Sequence, residues 1–427
     1  MNRTLVVVVL GCAAFGLRGQ AVAQERPTVE ELQKRYEQLK RRLDEMEAAQ
    51  VSKKLCQVQR EEVIELIKEM SADASKRSIL PSWLQDFKIY GDLRLRYEGF
   101  CRDYDRRDRN RARFRLRVGV EKTWWDKQLE IGFRLASGED DEPTTTNQSF
   151  TGAFSKKHVW IDLAYARWQP NALKGFTLVG GKFSLKDAWV HTDLIWDSDV
   201  NPEGVWAQYK ASQFGDFQPF ASAGYFIFHE EDQHSQDGIM AQYQVGFDWT
   251  IKPVKWTCAL TYYDYDHYDT RYVAAGGNHV GPDGNLQDFQ MINLTNKVGW
   301  KVDVGGRSIP MAAYFDWVHN CKDDDPDHGW NDQSDGYAAG LKIGQNNKKG
   351  DLSFSYKYAY LEANCTPSYL CDSDFGGANR KGHVFAVVYN LDTFLTVGAQ
   401  VYHTEPVTGA SQNNADTRVR ADLIWKF

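Results

Sequence analysis

Between residues 111 and 121 the chain alternates without a break. Ala112, Phe114, Leu116, Val118 and Val120 are apolar, and Arg111, Arg113, Arg115, Arg117, Gly119 and Glu121 stand between them. Successive side chains of a β-strand point to opposite faces, so this stretch is a strand with one greasy face and one basic face. A helix would scatter the arginines around its circumference. Such a strand either lays its apolar face on a second sheet or turns it toward lipid, with the arginines facing a wet interior.

The pattern repeats, which decides between the two. Residues 87–98 carry Phe87, Ile89, Leu93, Leu95 and Tyr97 on one face, and Lys88, Asp92, Arg94, Arg96 and Glu98 on the other. Further apolar faces follow, among them Ile131 with Phe133, then Val159, Ile161, Leu163 and Tyr165 opposed by Asp162, then Val179 and Phe183 opposed by Lys182. The alternation continues to the end of the chain. It predicts an all-β fold: a transmembrane antiparallel barrel of about sixteen strands over residues 81–427. Connections alternate between short, as at 124–127, 250–254 and 304–307, and long, as at 138–157, 184–203 and 362–379. A sandwich has no reason to segregate loop lengths in this way, whereas a membrane barrel has short turns at one end and long loops at the other.

Composition agrees. Mean hydropathy is −0.56, and no apolar run reaches the ~18 residues of a membrane helix. Fourteen Trp, 21 Tyr and 22 Phe suit interfacial girdles. The net charge of −7 argues against a nucleic-acid partner. A basic start, the apolar run from Leu5 to Leu10 and the sequence Ala21-Val22-Ala23 describe a signal peptide over residues 1–23. The final strand ends on Phe427. This resembles the last strand of bacterial outer-membrane proteins, which the β-barrel assembly machinery reads.

Residues 24–80 have another period. Val29, Leu32, Tyr36, Leu39, Leu43 and Met46 fall three and four apart, the seam of an α-helical coiled coil. This prefix is expected in the periplasm and suggests a homotrimer.

The segment Gly91-Asp92-Leu93-Arg94-Leu95-Arg96-Tyr97-Glu98, followed by Arg109-Asn110-Arg111-Ala112-Arg113, resembles the opening of the bacterial "putative porin" family. Arg134-Leu135-Ala136-Ser137-Gly138, Thr146-Asn147-Gln148, Asp162-Leu163-Ala164-Tyr165 and Gly180-Gly181-Lys182 match further along, as does the stretch from Trp196 to Gly204. The resemblance implies an outer-membrane porin of a Gram-negative bacterium, in contact with lipid and lipopolysaccharide. It names no solute and no catalytic residue.

Several groups are candidates for function. Arg94, Arg96, Arg111, Arg113, Arg115, Arg117, Arg134 and Lys182 would line the pore, either drawing anions or pairing with nearby acids. The loop carrying Asp187, Asp193, Asp197, Asp199 and Glu203, with Trp189 and Trp196, would either fold inward as a constriction or tuck on the rim. Small residues, Gly132, Ala136, Ala164, Gly246, Ala338 and Gly340, favour an open lumen. Cys365 and Cys371 could close a small disulfide loop in an oxidising compartment. Acidic runs at 139–142, 230–232 and 323–327 would be solvated loops or divalent-cation sites at the lipopolysaccharide surface. The ten histidines show no metal-ligand spacing, and no cofactor fingerprint or nucleophile motif is present. The expected function is passive diffusion of small hydrophilic solutes, with a mild preference for anions. The alternative is a plugged barrel serving as an outer-membrane anchor or adhesin, tethered through the coiled coil.

Overall fold

The computed structural model describes Glu37, Lys40 and residues 87–103, 108–231, 237–268, 273–281, 284, 286, 288–322, 333–409 and 414–427. The chain falls into two units, Met1–Gln85 and Asp86–Phe427. In the first, only Glu37 and Lys40 are described, both helical. The coiled-coil seam and the signal segment therefore lie outside the described residues.

The second unit is a sheet of seventeen strands. The first nine are β1 Phe87–Arg102, β2 Arg109–Trp124, β3 Leu129–Ala136, β4 Gln148–Ser149, β5 Trp160–Trp168, β6 Phe176–Lys182, β7 Glu203–Lys210, β8 Phe217–His229 and β9 Gly238–Ile251. Then come β10 Val254–Asp266, β11 Gln290–Val304, β12 Arg307–Asn320, β13 Asp335–Gly344, β14 Leu352–Leu361, β15 Arg380–Asn390, β16 Leu395–Pro406 and β17 Asp416–Lys426. Each long strand pairs antiparallel with its neighbours in sequence, and β1 pairs with both β2 and β17, so the sheet closes. The two-residue β4 meets β2 at Arg113 and Phe114, just beyond the last β2–β3 pair at Arg117 and Ala136. It continues the track of β3, which leaves sixteen positions around the barrel.

This protein is inside out. Ile89, Val205, Tyr243, Val245 and Val387 are exposed on the outer face, while Glu98, Gln242, Thr261, Asn293, Thr295 and Asp316 are buried completely within. The outer face suits lipid, and the cost of error fixes the register. Slipping β2 by one residue would turn Arg113, Arg115 and Arg117 outward, at roughly 2–4 kcal/mol each at the bilayer midplane. At the short-turn end, Trp124, Trp125, Trp168, Phe214, Trp249 and Phe394 are exposed as a girdle. The last strand locks to the first there: the Gly91 N–H donates to the Phe427 carbonyl at 2.9 Å, and the Phe427 N–H donates back at 3.1 Å.

Two expectations change. In β5 the alternation shifts phase, because the β3–β5 register jumps between Arg134 and Leu135 and passes over Asp162. Leu163 and Tyr165 therefore face inward with Asp162, not toward lipid, and Ala164 is exposed outside. Val179 and Phe183 are likewise buried inside, each 1% exposed. Three of the glycines also do not leave open space. A Cβ on Gly132 would strike the Tyr165 ring at 2.4 Å, one on Gly246 the Phe220 ring at 2.5 Å, and one on Gly340 the Tyr314 ring at 2.1 Å. Each glycine is the floor beneath an aromatic ring from the paired strand.

Candidate functional site

The basic wall lies on β1, β2 and β17. Strand alternation carries every second residue inward, and pairing sets the inward arginines beside one another: Arg94 opposite Arg115, and Arg96 opposite Arg113. Like charges so close need acids between them, and the wall supplies them. Asp92 accepts from Arg115 at 2.8 Å and from Arg117 at 2.7 Å. Glu98, fully buried, accepts from Arg111 at 2.5 Å. Arg96 donates to Asp422 at 2.7 Å, and Arg134 to Asp162 at 2.5 Å. Arg94 donates to the Asn147 side-chain oxygen at 2.6 Å, and Arg113 to the Asn147 backbone carbonyl at 2.8 Å. Lys182 lies at the end of β6 and pairs with Glu203 at 2.6 Å.

The segment 183–202 between β6 and β7 runs through the barrel interior. Its apolar residues explain why. Leu185, Trp189, Leu194, Ile195 and Trp196 are each at most 3% exposed, packed on inward-facing Leu163, Val179, Trp206, Phe226 and Met240. That wall is apolar where Leu163 of β5 and Val179 of β6 face inward. Burying these side chains contributes ~1.5–3 kcal/mol apiece, enough to hold the loop off the rim. Polar contacts fix its path. The Trp189 indole N–H donates to the Tyr263 hydroxyl at 2.9 Å, and Gln244 brackets Val190 with bonds of 2.9 and 2.8 Å. Thr192 donates to Asp316, and Lys297 to the His191 carbonyl.

The acids of this loop reach different walls. Asp199 approaches Arg117 at 3.5 Å and Arg115 at 3.8 Å. Burial alone would raise its pKa, but the two guanidiniums outweigh it and hold the carboxyl down at about 2. Asp193 meets Lys357 of β14 at 2.7 Å. It is enclosed by the barrel yet faces lumen water, and Lys357 keeps its pKa below the usual value against the pull of burial. Asp187 sits 3.7 Å from Arg167 and is exposed. Asp197 is different: burial, and the carboxylates of Asp372 and Asp199 beside it, push its pKa up from 3.8 to about 8.

A second loop, 362–379 between β14 and β15, was not expected inside. Its Asp374 meets Arg418 at 2.5 Å, Arg96 at 3.5 Å and also Arg420. Its Asp372 lies 3.7 Å from Lys357. The two loops touch where the Asp197 N–H donates to the Leu370 carbonyl at 2.8 Å. The signal for this loop was its apolar content, since Phe375 and Ala378 are buried. Cys365 and Cys371 are both buried as free thiols, so the small loop they could close is not bonded. They face different neighbours: Cys371 Sγ lies 3.5 Å from the Pro367 carbonyl, and Cys365 packs near Gly336.

Cavities flank the contact between Asp199 and the arginines. One of about 330 Å³, toward the long loops, is lined by Arg111, Arg113, Arg418, Glu142 and Asp374. One of about 380 Å³, toward the short turns, is lined by Asp92, Arg115, Arg117 and Arg134. Together they track the arginine wall from one mouth toward the other. The acidic run at 139–142 is exposed, and no cluster of three metal-ligating side chains occurs among the described residues. Residues 232 and 323–327 of the other acidic runs lie outside the described residues.

Comparison with known proteins follows the same line. The structure is similar to that of OprB from Pseudomonas putida, with a TM-score of 0.51 and 12% identity, over 80% of this chain and 94% of that one. Mutant forms of the Rhodopseudomonas blastica porin align over 80% of this chain and 100% of theirs, at 10% and 11% identity and TM-scores of 0.44 and 0.43. No curated protein matches the sequence. The family described as "Putative porin" matches residues 101–298, which span β2 to β10 and the inward loop 183–202. Over that stretch the chain is similar to the "Putative porin" family.

Proposed function

We propose that the protein is an outer-membrane diffusion channel for small hydrophilic solutes with a mild preference for anions. The observation that carries this reading is the arrangement of the lumen: an arginine wall on β1, β2 and β17 faced by two inward loops, with cavities on both sides of their contact. Preorganised cations against low-dielectric protein raise the local anion concentration. The wall carboxylates Asp92, Glu98 and Asp422 bridge the arginines without matching them in number. Loop 183–202 acts as the constriction, with Asp199 setting a transverse field against Arg115 and Arg117. Assembly as a trimer and contact with lipopolysaccharide belong to this reading.

A second reading is favoured by the packing of the two loops on each other, which fills part of the lumen and suits a plugged anchor. Reversal potentials in a salt gradient test the preferred one. Anion selectivity that falls in the Arg113→Ser, Arg115→Ser double variant is expected. A cation-selective channel, or selectivity unmoved by the pair, would make the wall a structural network alone.

A further inference from the structure

A third cavity, of about 570 Å³, lies against β10–β16 on the short-turn side of loop 183–202, away from the arginine wall. Strand register builds it from two adjacent rows of inward side chains. In the upper row Lys297 stands opposite Tyr314, and Lys357 opposite Val384, which is itself opposite Tyr402. In the lower row Lys255 is opposite Gly299, Gly299 opposite Ala312, and Ala312 opposite Lys342. Small residues in the middle of the lower row make the space, and a lysine stands at each side of it.

The pairing of these lysines differs from that of the arginines. Lys357 is neutralised by Asp193 at 2.7 Å and Asp372 at 3.7 Å. The nearby Asp248 is paired to Lys210 at 2.5 Å, and Asp316 is held by Thr192 and Asn293. Lys297 has given a bond to the His191 carbonyl. Lys255 and Lys342 have no ion pair among the described residues. The cavity therefore has two cationic poles, Lys255 with Lys297 and Lys342 with its exposed ammonium, separated by Gly299, Ala312 and the Tyr314 ring. Three strand spacings of ~4.8 Å put the Cα atoms of Lys255 and Lys342 about 14 Å apart along the wall. Their flexible four-carbon stems let the ammonium groups close on a shorter molecule.

We infer that this cavity is a binding site for a linear dicarboxylate with a short apolar linker. One carboxylate is received by Lys255 and Lys297, and the other by Lys342. The methylenes lie over Gly299 and Ala312, beneath Tyr314. A monocarboxylate leaves one pole empty, a neutral diol leaves both, and a phosphate cannot reach across. The inference rests on the channel reading only in that the ligand must enter through the lumen.

Isothermal titration of the folded full-length protein in detergent tests it, with adipate as the probe and hexanoate, 1,6-hexanediol and inorganic phosphate as comparisons. Adipate is expected to bind about tenfold or more tightly than hexanoate, the value of one charge-assisted contact. Lys255→Met and Lys342→Met are each expected to reduce adipate to the level of hexanoate, and Lys342→Arg to retain it. Equal binding of adipate and hexanoate by the unaltered protein, or no binding at all, overturns the proposal without any variant. Adipate binding to a barrel that passes no current would refute the channel reading and leave this one standing. A conducting barrel that ignores adipate would do the reverse.

Discussion

Lys357 of β14 and Asp193 of the inward loop form an ion pair at 2.7 Å inside the barrel, and Lys357 also faces Asp372 of the second loop at 3.7 Å. One lysine thus holds both loops. Lys357→Met removes the tether and leaves two carboxylates near each other. A loss of about 2 kcal/mol in stability is expected, as for a hydrogen bond to a charged group. The current should become noisier as the loops move. Denaturant unfolding and single-channel noise read the two effects, and a quiet, equally stable variant would show that apolar packing alone holds the loops.

The contact between the loops is expected to weaken as pH rises. Asp197 has a pKa raised from 3.8 to about 8 by burial and by its neighbours Asp372 and Asp199. A raised carboxyl favours the folded arrangement while protonated, and that contribution is lost as pH climbs through the folded value. Lys357 and Arg420 also act on this cluster and limit the penalty. Gating noise should therefore increase between about pH 5 and about pH 9, and Asp197→Asn should flatten the dependence. Noise that is pH-independent in the unaltered protein would contradict the assignment.

Gly340→Val is expected to cost ~1–3 kcal/mol, because the new side chain overlaps the Tyr314 ring. It should also disturb the 3.3 Å bond from the Tyr314 hydroxyl to Asp193. Gly299→Val is the control, since the nearest atom to a Cβ there is 3.9 Å away. Thermal unfolding of both variants measures the difference.

Removing residues 24–80 is expected to leave a folded barrel and a weaker oligomer. The barrel closes through β1, which begins at Phe87. The seam from Val29 to Met46 is too short to be a stable coil alone. Heat-modifiable migration checks the fold and cross-linking checks the assembly. An unchanged oligomer yield would mean that the prefix serves something else.

Much of this architecture was legible in the chain. Alternation at Arg111 to Glu121 fixes which face of β2 is greasy, and loop lengths fix which end is which. Alternation does not reveal a partner, so the pairing of Arg115 and Arg117 through one Asp92 came only with the β1–β2 register. Nor does it survive a bulge: Leu163 and Tyr165 read as lipid-facing because the skipped Asp162 is silent in sequence. The glycines of the inner face read as open space because the rings above them sit on other strands. Trp189 and Trp196, large apolar residues in a long acidic loop, were the visible sign that the loop has somewhere dry to go. Loop 362–379 carried a similar sign in Phe375, obscured by the cysteine pair.

Single-channel recording in planar bilayers separates an open channel from a plugged barrel. Discrete, long-lived conductance steps are expected from the folded protein in chloride salt, larger than the same steps in a salt of a bulky anion. A protein that migrates as a folded barrel and inserts into the bilayer, yet passes no current, would contradict the open channel and leave the plugged anchor as the reading of this fold.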